Sequence, residues 1–408
     1  MCQKQNTPRP SGTPLKRGIN NYMKICLVNN LLTPWSRGGA EKVIETLAEA
    51  IIQDGHEVFF ISTKPPKTAD PEKNKTTHYY LPSHYHSLNK WSHLRKLAWH
   101  LLGFIKISQV TALKKILVDE KPDLIITNNL IGIGFALGRL AQGLKIKHFH
   151  ILHDIQLLHP SGLLLYGQVG ELATPLAKYY QRLTKQQLGH PQVVIAPSHW
   201  LMNEHLKRGF FAPRSSDFSG FNTSTQVVLA NPSAKLSDFQ QQTKDTTTFL
   251  FVGQIEKHKG VQLLIQAWTD FINRTKAETK LIVVGDGSYL NLLSKLKAPR
   301  VEFKGRLVGR DLTQVYAQAT CLVVPSLCYE NSPTVIYEAT QAGLPVIASR
   351  LGGTKELLNK DYLFKPEVNA LSDKLFWAYK KRHELVAPQI KLINPKEYWA
   401  EIKKYVTQ

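Results

Sequence analysis

Residues 325–345 read PSLCYENSPTVIYEATQAGLP and are bounded by two short apolar runs, Cys321–Pro325 and Pro345–Ala348. Both runs are rich in aliphatic residues, as strands covered on both faces of a sheet should be. Between them, Ser332 and Pro333 predict the N-cap and the first position of a helix, because a serine hydroxyl accepts free backbone N–H groups and proline lacks one. Strand, helix and strand in this order predict two parallel strands.

The same alternation of apolar runs and amphipathic segments extends along the chain in two rounds. The remaining predicted strands are Lys24–Val28, Glu57–Ser62, Asp123–Thr127, His148–Leu152 and Val193–Pro197 in the first round, and Val227–Ala230, Phe249–Gly253, Leu281–Gly285 and Val301–Phe303 in the second. Helical spacing of apolar residues predicts helices over Glu41–Gln53, Val261–Phe271, Asp311–Ala319 and Tyr398–Val406. We therefore predict an α/β fold of two doubly wound, Rossmann-like halves that face each other across a cleft.

The two rounds are separated by residues 214–225, which are rich in Ser, Thr and Phe and have little periodicity. We predict a disordered basic tail over 1–22, an N-terminal domain over 23–224, a C-terminal domain over 225–385, and a helical segment over 386–408 that returns to the N-terminal domain. Ligands of doubly wound sheets bind beyond the carboxyl ends of the strands. The functional residues are therefore expected in the cleft.

Composition narrows the classes of function. With 408 residues, 43% hydrophobic and 20% charged, the chain is neither disordered nor fibrous. Its net charge of +21 favours anionic partners such as phosphorylated small molecules, nucleic acids or acidic membrane surfaces. The four cysteines contain no CxxC pair and indicate neither disulfides nor a zinc site. Because no signal peptide or apolar run of about 18 residues is found, we expect a cytoplasmic protein that does not span a membrane.

Two loops are candidate anion sites. Gly38 and Gly39 follow the first strand and open the first helix, where backbone N–H groups and the helix dipole favour an anion; an ordinary tight loop is the alternative. Lys257, His258 and Lys259 follow the strand that ends at residue 253 and precede the next helix. They would face a phosphate-bearing ligand there, and a solvated lysine loop is the alternative.

The third candidate is a pair of glutamates in the opening stretch. Glu330 comes just before the predicted helix start, and Glu338 lies about two turns into the helix. An acid beside an anion-binding helix end suits a ligand that carries uncharged hydroxyls next to a phosphate. The turn at 343–345 and the pair Gly352-Gly353 favour this interpretation over two surface glutamates.

The order of these motifs resembles the family 4 glycosyltransferases of the GT-B fold, of the bacterial polysaccharide or lipid-linked glycan type. The resemblance covers residues 23 to about 358 and rests on Glu330 and Glu338 with Asn331-Ser332-Pro333 between them, and on Gly38-Gly39-Ala40-Glu41, His153-Asp154, Ala196-Pro197-Ser198, Asn231-Pro232, Gly253, Lys259-Gly260 and Gly285-Asp286-Gly287. It implies a retaining transfer of a hexose from a nucleotide diphosphate sugar to a glycan or lipid-linked acceptor, with the donor in the second domain.

The resemblance also implies the roles of individual residues. Carried over by position, Glu330 would bind hydroxyls of the donor sugar, Lys259 the diphosphate, Glu338 the ribose, and His153 the sugar near its 6-position. The remaining donor contacts would be Gly39, Gly253, Gln254, Asn331, Ser332, Pro333, Thr334 and Val335. The departing phosphate would accept the proton of the acceptor. No cofactor is expected besides the nucleotide-sugar donor, and the lack of an Asp-x-Asp motif fits a reaction without a metal ion.

One departure from the family pattern leaves alternatives open. Gln254 stands where the family usually has an arginine on the diphosphate, although Lys257 or Arg350 could replace it. A degenerate sugar-nucleotide-binding protein is therefore one alternative. A nucleotide-sugar epimerase of similar fold is another, against which the ordered glutamate signature speaks. No helix-turn-helix, RRM, KH or zinc-finger pattern indicates a nucleic-acid partner.

Residues 73–118 contain no acid and mix cations with large apolar side chains. The cations are Lys73, Lys75, Lys90, Arg95, Lys96, Lys106, Lys114 and Lys115, and the apolar residues are Trp91, Leu94, Leu97, Trp99, Leu101, Leu102, Phe104 and Ile105. Such a mixture predicts peripheral contact with an anionic membrane surface. The alternative is that the apolar residues pack against the sheet while the cations are solvated.

Overall fold

The computed structural model describes residues 22–36, 38–71, 76–103, 107–211, 224–233, 236, 246–296 and 298–406. The predicted tail over 1–22 lies outside these ranges, except for its last residue. The strands are β1 Lys24–Val28, β2 Glu57–Lys64, β3 Thr77–Pro82, β4 Leu124–Thr127, β5 Lys147–Ile151, β6 Val193–Ala196, β7 Thr225–Val228, β8 Thr247–Val252, β9 Thr279–Val284, β10 Val301–Gly305, β11 Cys321–Val324, β12 Val346–Ser349 and β13 Leu363–Phe364. They confirm the predicted α/β class.

The strands form two parallel sheets, in the orders β3-β2-β1-β4-β5-β6-β7 and β10-β9-β8-β11-β12-β13. We call the parts of the chain built on these sheets the first half and the second half. In each sheet the strand order reverses beside the first strand, between β1 and β4 and between β8 and β11. Ligands of such sheets bind at this reversal, beyond the carboxyl ends of the strands.

Helices cover both faces of each sheet. They are α1 Gly39–Gln53, α2 His93–Gly103, α3 Ile107–Glu120, α4 Leu137–Gly143, α5 Pro175–Leu188, α6 His199–Leu206, α7 Val261–Thr275, α8 Leu290–Leu293, α9 Gly309–Gln318, α10 Thr334–Gln341, α11 Thr354–Leu357, α12 Val368–Lys380 and α13 Pro395–Lys403. Each sheet has a buried apolar cluster on either face, as its continuous apolar strands require. None of the helices in the described ranges is long and apolar enough to cross a membrane.

The segments that flank the second half, β7 and α13, both join the first half. The strand predicted at 227–230 to open the second half is β7, which pairs with β6 in the first sheet, so that assignment is wrong. The physical reason is that β7 satisfies the outer edge of β6, which would otherwise be unpaired. At the C-terminus, α13 packs on α1 through Tyr398 and Trp399, and the Trp399 indole donates to Asp54 at 2.7 Å.

Candidate active site

The loops that leave β8 and β11 at the second reversal lie directly on each other. Gly260 ends the β8 loop with φ 72°, and a side chain built there would come within 1.9 Å of the Pro325 carbonyl oxygen. Only glycine combines this left-handed backbone with so close an approach. The preceding residue, Lys259, is thereby placed beside the β11 loop.

Lys259 and Glu330 form an ion pair in this loop cluster. The Lys259 ammonium lies 2.7 Å from Glu330 Oε1, which also accepts the Ser326 hydroxyl at 2.7 Å. Burial raises the pKa of Glu330, but Lys259 and Ser326 outweigh it, so the pKa is lowered. Burial likewise opposes ionisation of Lys259, whose pKa Glu330 nevertheless raises. Both groups are therefore charged at neutral pH. Ser326 was missed in the sequence, although it follows the strand end by two residues.

The helix after Glu330 begins one residue later than predicted. Pro333 has extended backbone angles and is the N-cap, and Thr334 is the first helical residue of α10. The predicted cap, Ser332, is 9% exposed and shares a hydrogen bond of 2.6 Å with the Tyr337 hydroxyl. Its side chain is therefore committed to the second half. A side chain built on Gly39 of the first half would lie 3.1 Å from Thr334, so the glycine loop of the first half meets the N-terminus of α10 across the cleft.

Glu338 lies one turn further along α10. Its Oε2 accepts the buried Tyr316 hydroxyl at 2.7 Å, and its Oε1 is 3.8 Å from the Lys42 ammonium of the first half. Tyr316 was not predicted as a site residue, because it lies in α9 and meets Glu338 only through the packing of the two helices. Glu338 and Lys42 both line a small pocket between the halves, together with Gly39 and Thr334.

His153 follows β5 at the carboxyl edge of the first sheet. Its Nε2 lies 2.9 Å from Asn128 Oδ1, and the Asn128 amide nitrogen donates to the Val28 carbonyl at 3.0 Å, which fixes the orientation of that amide. His153 Nε2 is therefore the donor, and its Nδ1 is an acceptor. Burial lowers the pKa of His153 to about 4, so the ring is neutral at pH 7. Its backbone carbonyl accepts the Asn331 side-chain amide at 2.7 Å.

Gln254 follows Gly253 at the end of β8 and faces the glycine loop of the first half. A side chain built on Gly38 would lie 4.0 Å from the Gln254 amide nitrogen and 3.6 Å from the Glu41 carboxylate. That carboxylate accepts the Gly38 N–H at 2.9 Å. The described contacts thus lie where the two halves meet for Gly39, His153, Gln254, Asn331, Thr334 and Glu338. The Ser332 hydroxyl is used within the second half, and Val335 packs against the core of that half.

The arrangement combines a charged lysine, a helix N-terminus and a carboxylate within one cluster. A lysine and free N–H groups suit an anion, whereas a carboxylate accepts hydrogen bonds from neutral hydroxyls. The described residues contain no group of three or more His, Cys, Asp or Glu side chains placed to hold a metal ion. The cluster therefore matches a ligand that joins phosphate to polyhydroxylated carbon.

Comparison with known proteins identifies the family. The family model described as Glycosyltransferase Family 4 matches residues 37–215, and the model described as Glycosyl transferases group 1 matches residues 246–381. A 42.6 kDa protein in the cps region of Klebsiella pneumoniae is 29% identical over 344 residues, which cover 82% of this chain and 87% of that protein.

Solved structures show the same fold. Sucrose-phosphate synthase from Thermosynechococcus elongatus superposes with a TM-score of 0.66 at 18% identity and covers 94% of both chains. HepE of Anabaena in complex with UDP and glucose gives a TM-score of 0.60 at 17% identity, over 94% of this chain and 95% of that one. The two family models together match most of both halves. The chain belongs to the family 4 glycosyltransferases of the GT-B fold.

Proposed function

We propose that the enzyme is a retaining, metal-independent hexosyltransferase that moves a sugar from a nucleotide diphosphate sugar to a glycan or lipid-linked acceptor in the synthesis of a surface polysaccharide or glycoconjugate. The observation that carries this proposal is the Lys259–Glu330 pair, at 2.7 Å, directly before the N-terminus of α10. A cation and a carboxylate held at one strand reversal suit the junction between a diphosphate and a sugar.

The proposed roles follow from the charges. Lys259 and the N–H groups from Asn331 to Val335 stabilise the negative charge that develops on the departing diphosphate. Glu330 accepts hydrogen bonds from sugar hydroxyls, and Glu338 accepts them from the ribose. His153, being neutral, offers Nδ1 to a further sugar hydroxyl. The leaving phosphate takes the acceptor proton, so the remaining work of the protein is positioning.

The relatives support the substrate class. HepE of Anabaena was solved with UDP and glucose, which favours a uridine donor here. The Klebsiella pneumoniae relative is a protein of the cps region, which favours a polysaccharide acceptor. An intact pair of donor-site charges favours an enzyme over a degenerate sugar-nucleotide-binding protein, the alternative raised by Gln254.

Donor hydrolysis tests the proposal. The purified protein is incubated with UDP-glucose, UDP-galactose, UDP-N-acetylglucosamine and GDP-mannose, each with EDTA or with Mg²⁺. We expect one donor to be hydrolysed slowly, at the same rate under both conditions, with the released sugar initially in the anomeric configuration of the donor. Lys259→Met should abolish the release, while the control Lys280→Met, at an exposed strand position of the second half, should not. Dependence on Mg²⁺ or the opposite anomer would contradict the mechanism.

We also propose contact of the first half with an anionic membrane surface, on fewer residues than the sequence suggested. In α2, Leu94 and Leu102 are 81% and 59% exposed, beside the exposed Arg95. Trp99 is instead buried in the core of the first half, so its predicted part in the interface is wrong. Residues 73, 75 and 104–106 and the side chains of Leu97 and Leu101 lie outside the described part of the chain.

Vesicle co-sedimentation tests this contact. We expect binding to phosphatidylglycerol vesicles at low salt, and its loss when Lys90, Arg95 and Lys96 are replaced by Glu, because each cation near such a surface contributes about 1 kcal/mol. Equal binding to neutral phosphatidylcholine vesicles, or no effect of the triple substitution, would favour an acceptor that is not presented at a membrane.

A further inference from the structure

The loop that carries Glu330 is held by the first half as well as by its own. The Tyr329 N–H donates to the Leu164 carbonyl at 2.8 Å, and the Tyr166 N–H donates to the Leu327 carbonyl at 2.8 Å. These bonds make an isolated antiparallel bridge between Leu165 and Cys328. Residues 164–166 therefore form a short strand segment that crosses the cleft and pairs with the loop two residues before Glu330.

Two side-chain contacts extend this pairing on either side of Glu330. The Tyr329 ring stacks on Trp200 of α6, with ring centroids 5.6 Å apart and planes inclined by 15°. The Asn331 amide donates to the His153 carbonyl of the first half at 2.7 Å. The residues on either side of Glu330, Tyr329 and Asn331, are thus both held by groups of the first half.

A third contact secures α6 itself. The Glu356 carboxylate of the second half accepts the His199 and Trp200 N–H groups, at 2.8 and 2.6 Å, and so caps the N-terminus of α6. A carboxylate is favourable there because it opposes the helix dipole. Gly353 lies between the Glu330 loop and the N-terminus of α6. A side chain built on it would come within 2.1 Å of the Asn331 carbonyl oxygen and 2.8 Å of the Ser198 hydroxyl.

We propose that residues 164–166, the Trp200–Tyr329 stack and the Glu356 cap act as a clamp that fixes the Glu330 loop in its sugar-binding arrangement when the two halves are closed on each other. Within the second half the loop has backbone anchors at three residues: the Leu327 and Cys328 N–H groups donate to the His258 carbonyl, and the Glu330 carbonyl accepts the Gly353 N–H. The clamp adds contacts at Tyr329 and Asn331, the residues on either side of Glu330. The part of this inference that concerns the sugar rests on the proposed function of Glu330.

The bridge can be tested without any substrate. The two hydrogen bonds join the neighbours of Leu165 and Cys328, which makes these two residues a non-hydrogen-bonded pair, with Cα atoms about 4.5 Å apart. A disulfide spans about 4.4–6.8 Å between Cα atoms, so Leu165→Cys should cross-link to the native Cys328. Because burial raises the pKa of the Cys328 thiol, exchange at this site is slow at neutral pH. In a Cys2→Ser background, we therefore expect oxidised glutathione at mildly alkaline pH to form this disulfide faster than in a control variant, as detected by peptide mapping. Leu163→Cys, two residues away and 44% exposed, is the control.

Cross-linking also reports on opening. We expect the oxidised Leu165→Cys enzyme to lose turnover and to regain it on reduction, because the donor and the product must pass through an opened cleft. Cross-linking no faster than in the Leu163→Cys control would show that the bridge is not formed in solution and would overturn the clamp.

The positioning role is tested by comparing the affinities for UDP-glucose and for UDP, because general destabilisation would lower both equally. Glu356→Ala should weaken the binding of UDP-glucose by about tenfold, on the scale of one charged hydrogen bond, while the affinity for UDP alone stays the same. Glu356→Asp should recover part of the loss, and Glu302→Ala, at an exposed position of the same half, should cause none. Equal losses for UDP-glucose and UDP would refute the positioning of Glu330. Failure of the unaltered enzyme to bind any tested nucleotide sugar would instead refute the proposed function, while the cross-linking result still stands.

Discussion

Replacing Lys259 by Met tests whether its pair with Glu330 holds the site together. The Glu330 carboxylate would lose its cation at 2.7 Å while remaining largely buried. Loss of one partner from a buried pair costs about 3–5 kcal/mol, whereas an exposed pair contributes about 0–1 kcal/mol. Because the two side chains are 28% and 13% exposed, we expect the free energy of unfolding to fall by about 2–3 kcal/mol. For a cooperative unit of about 150–250 residues, the size of the second half, that loss corresponds to a decrease of about 4–12 °C in Tm.

The double variant Lys259→Met/Glu330→Gln separates stability from activity. It removes both charges, so its Tm should be higher than the sum of the two single effects predicts. Its kcat/KM should stay low, because each lost charged hydrogen bond to the donor costs about 1.5–3 kcal/mol, or about 10- to 150-fold. Calorimetry and donor hydrolysis measure the two quantities. Additive changes in Tm would show that the pair is not formed, and activity that returns together with stability would refute the donor contacts.

Three further predictions use the same assays. Gln254→Arg should lower the KM for the donor by adding a cation beside the glycine loop, and a loss of activity would mean that Gln254 has a contact of its own. Gly260→Ala should lower the free energy of unfolding by more than about 1 kcal/mol, because φ is 72° and the new methyl group would meet a backbone carbonyl, whereas Gly143→Ala, where a side chain meets nothing within 4 Å, should not. Burial lowers the pKa of His148 to about 3 and of His205 to about 4, so below pH 6.5 the unfolded chain binds protons that the folded chain excludes. Each histidine should then reduce stability by about 1.4 kcal/mol per pH unit down to its folded pKa, and a Tm that rises from pH 7 to pH 5 would contradict this.

The sequence predicted the repeating architecture because buried parallel strands, such as β4 and β11, are continuous apolar runs. Such runs can be identified without knowing which strands they pair with. Edge strands lack that signal. β3 carries His78, Tyr79 and Tyr80 and ends at Pro82, and it was not predicted. The polar edge strand β7 was predicted in the wrong half, since which sheet it joins depends on the free edge of β6 and not on its own residues.

The candidate site was predicted as a set of separate ligand contacts, and its internal pairing was not. Lys259 and Glu330 are 71 residues apart, and their contact depends on the approach of the β8 loop to the β11 loop at Gly260. The contacts across the cleft depend further on how the two halves dock. Neither Trp200 nor Glu356 belongs to a motif of the donor site, and a single sequence holds no local pattern that would bring them together.

The two carboxylates proposed to bind the donor already have protein partners in this structure. Glu330 accepts from Lys259 and Ser326, and Glu338 accepts from Tyr316. A donor that binds these carboxylates therefore replaces their existing hydrogen bonds to the protein. Such an exchange contributes little net free energy of binding. It does impose geometry, because a sugar that leaves one of these buried carboxylates without a partner is rejected at a cost of about 1–3 kcal/mol or more. We infer that the pairing within the cleft serves selectivity more than affinity, and that the choice among sugars depends on which hydroxyls can replace the ammonium of Lys259 at Glu330.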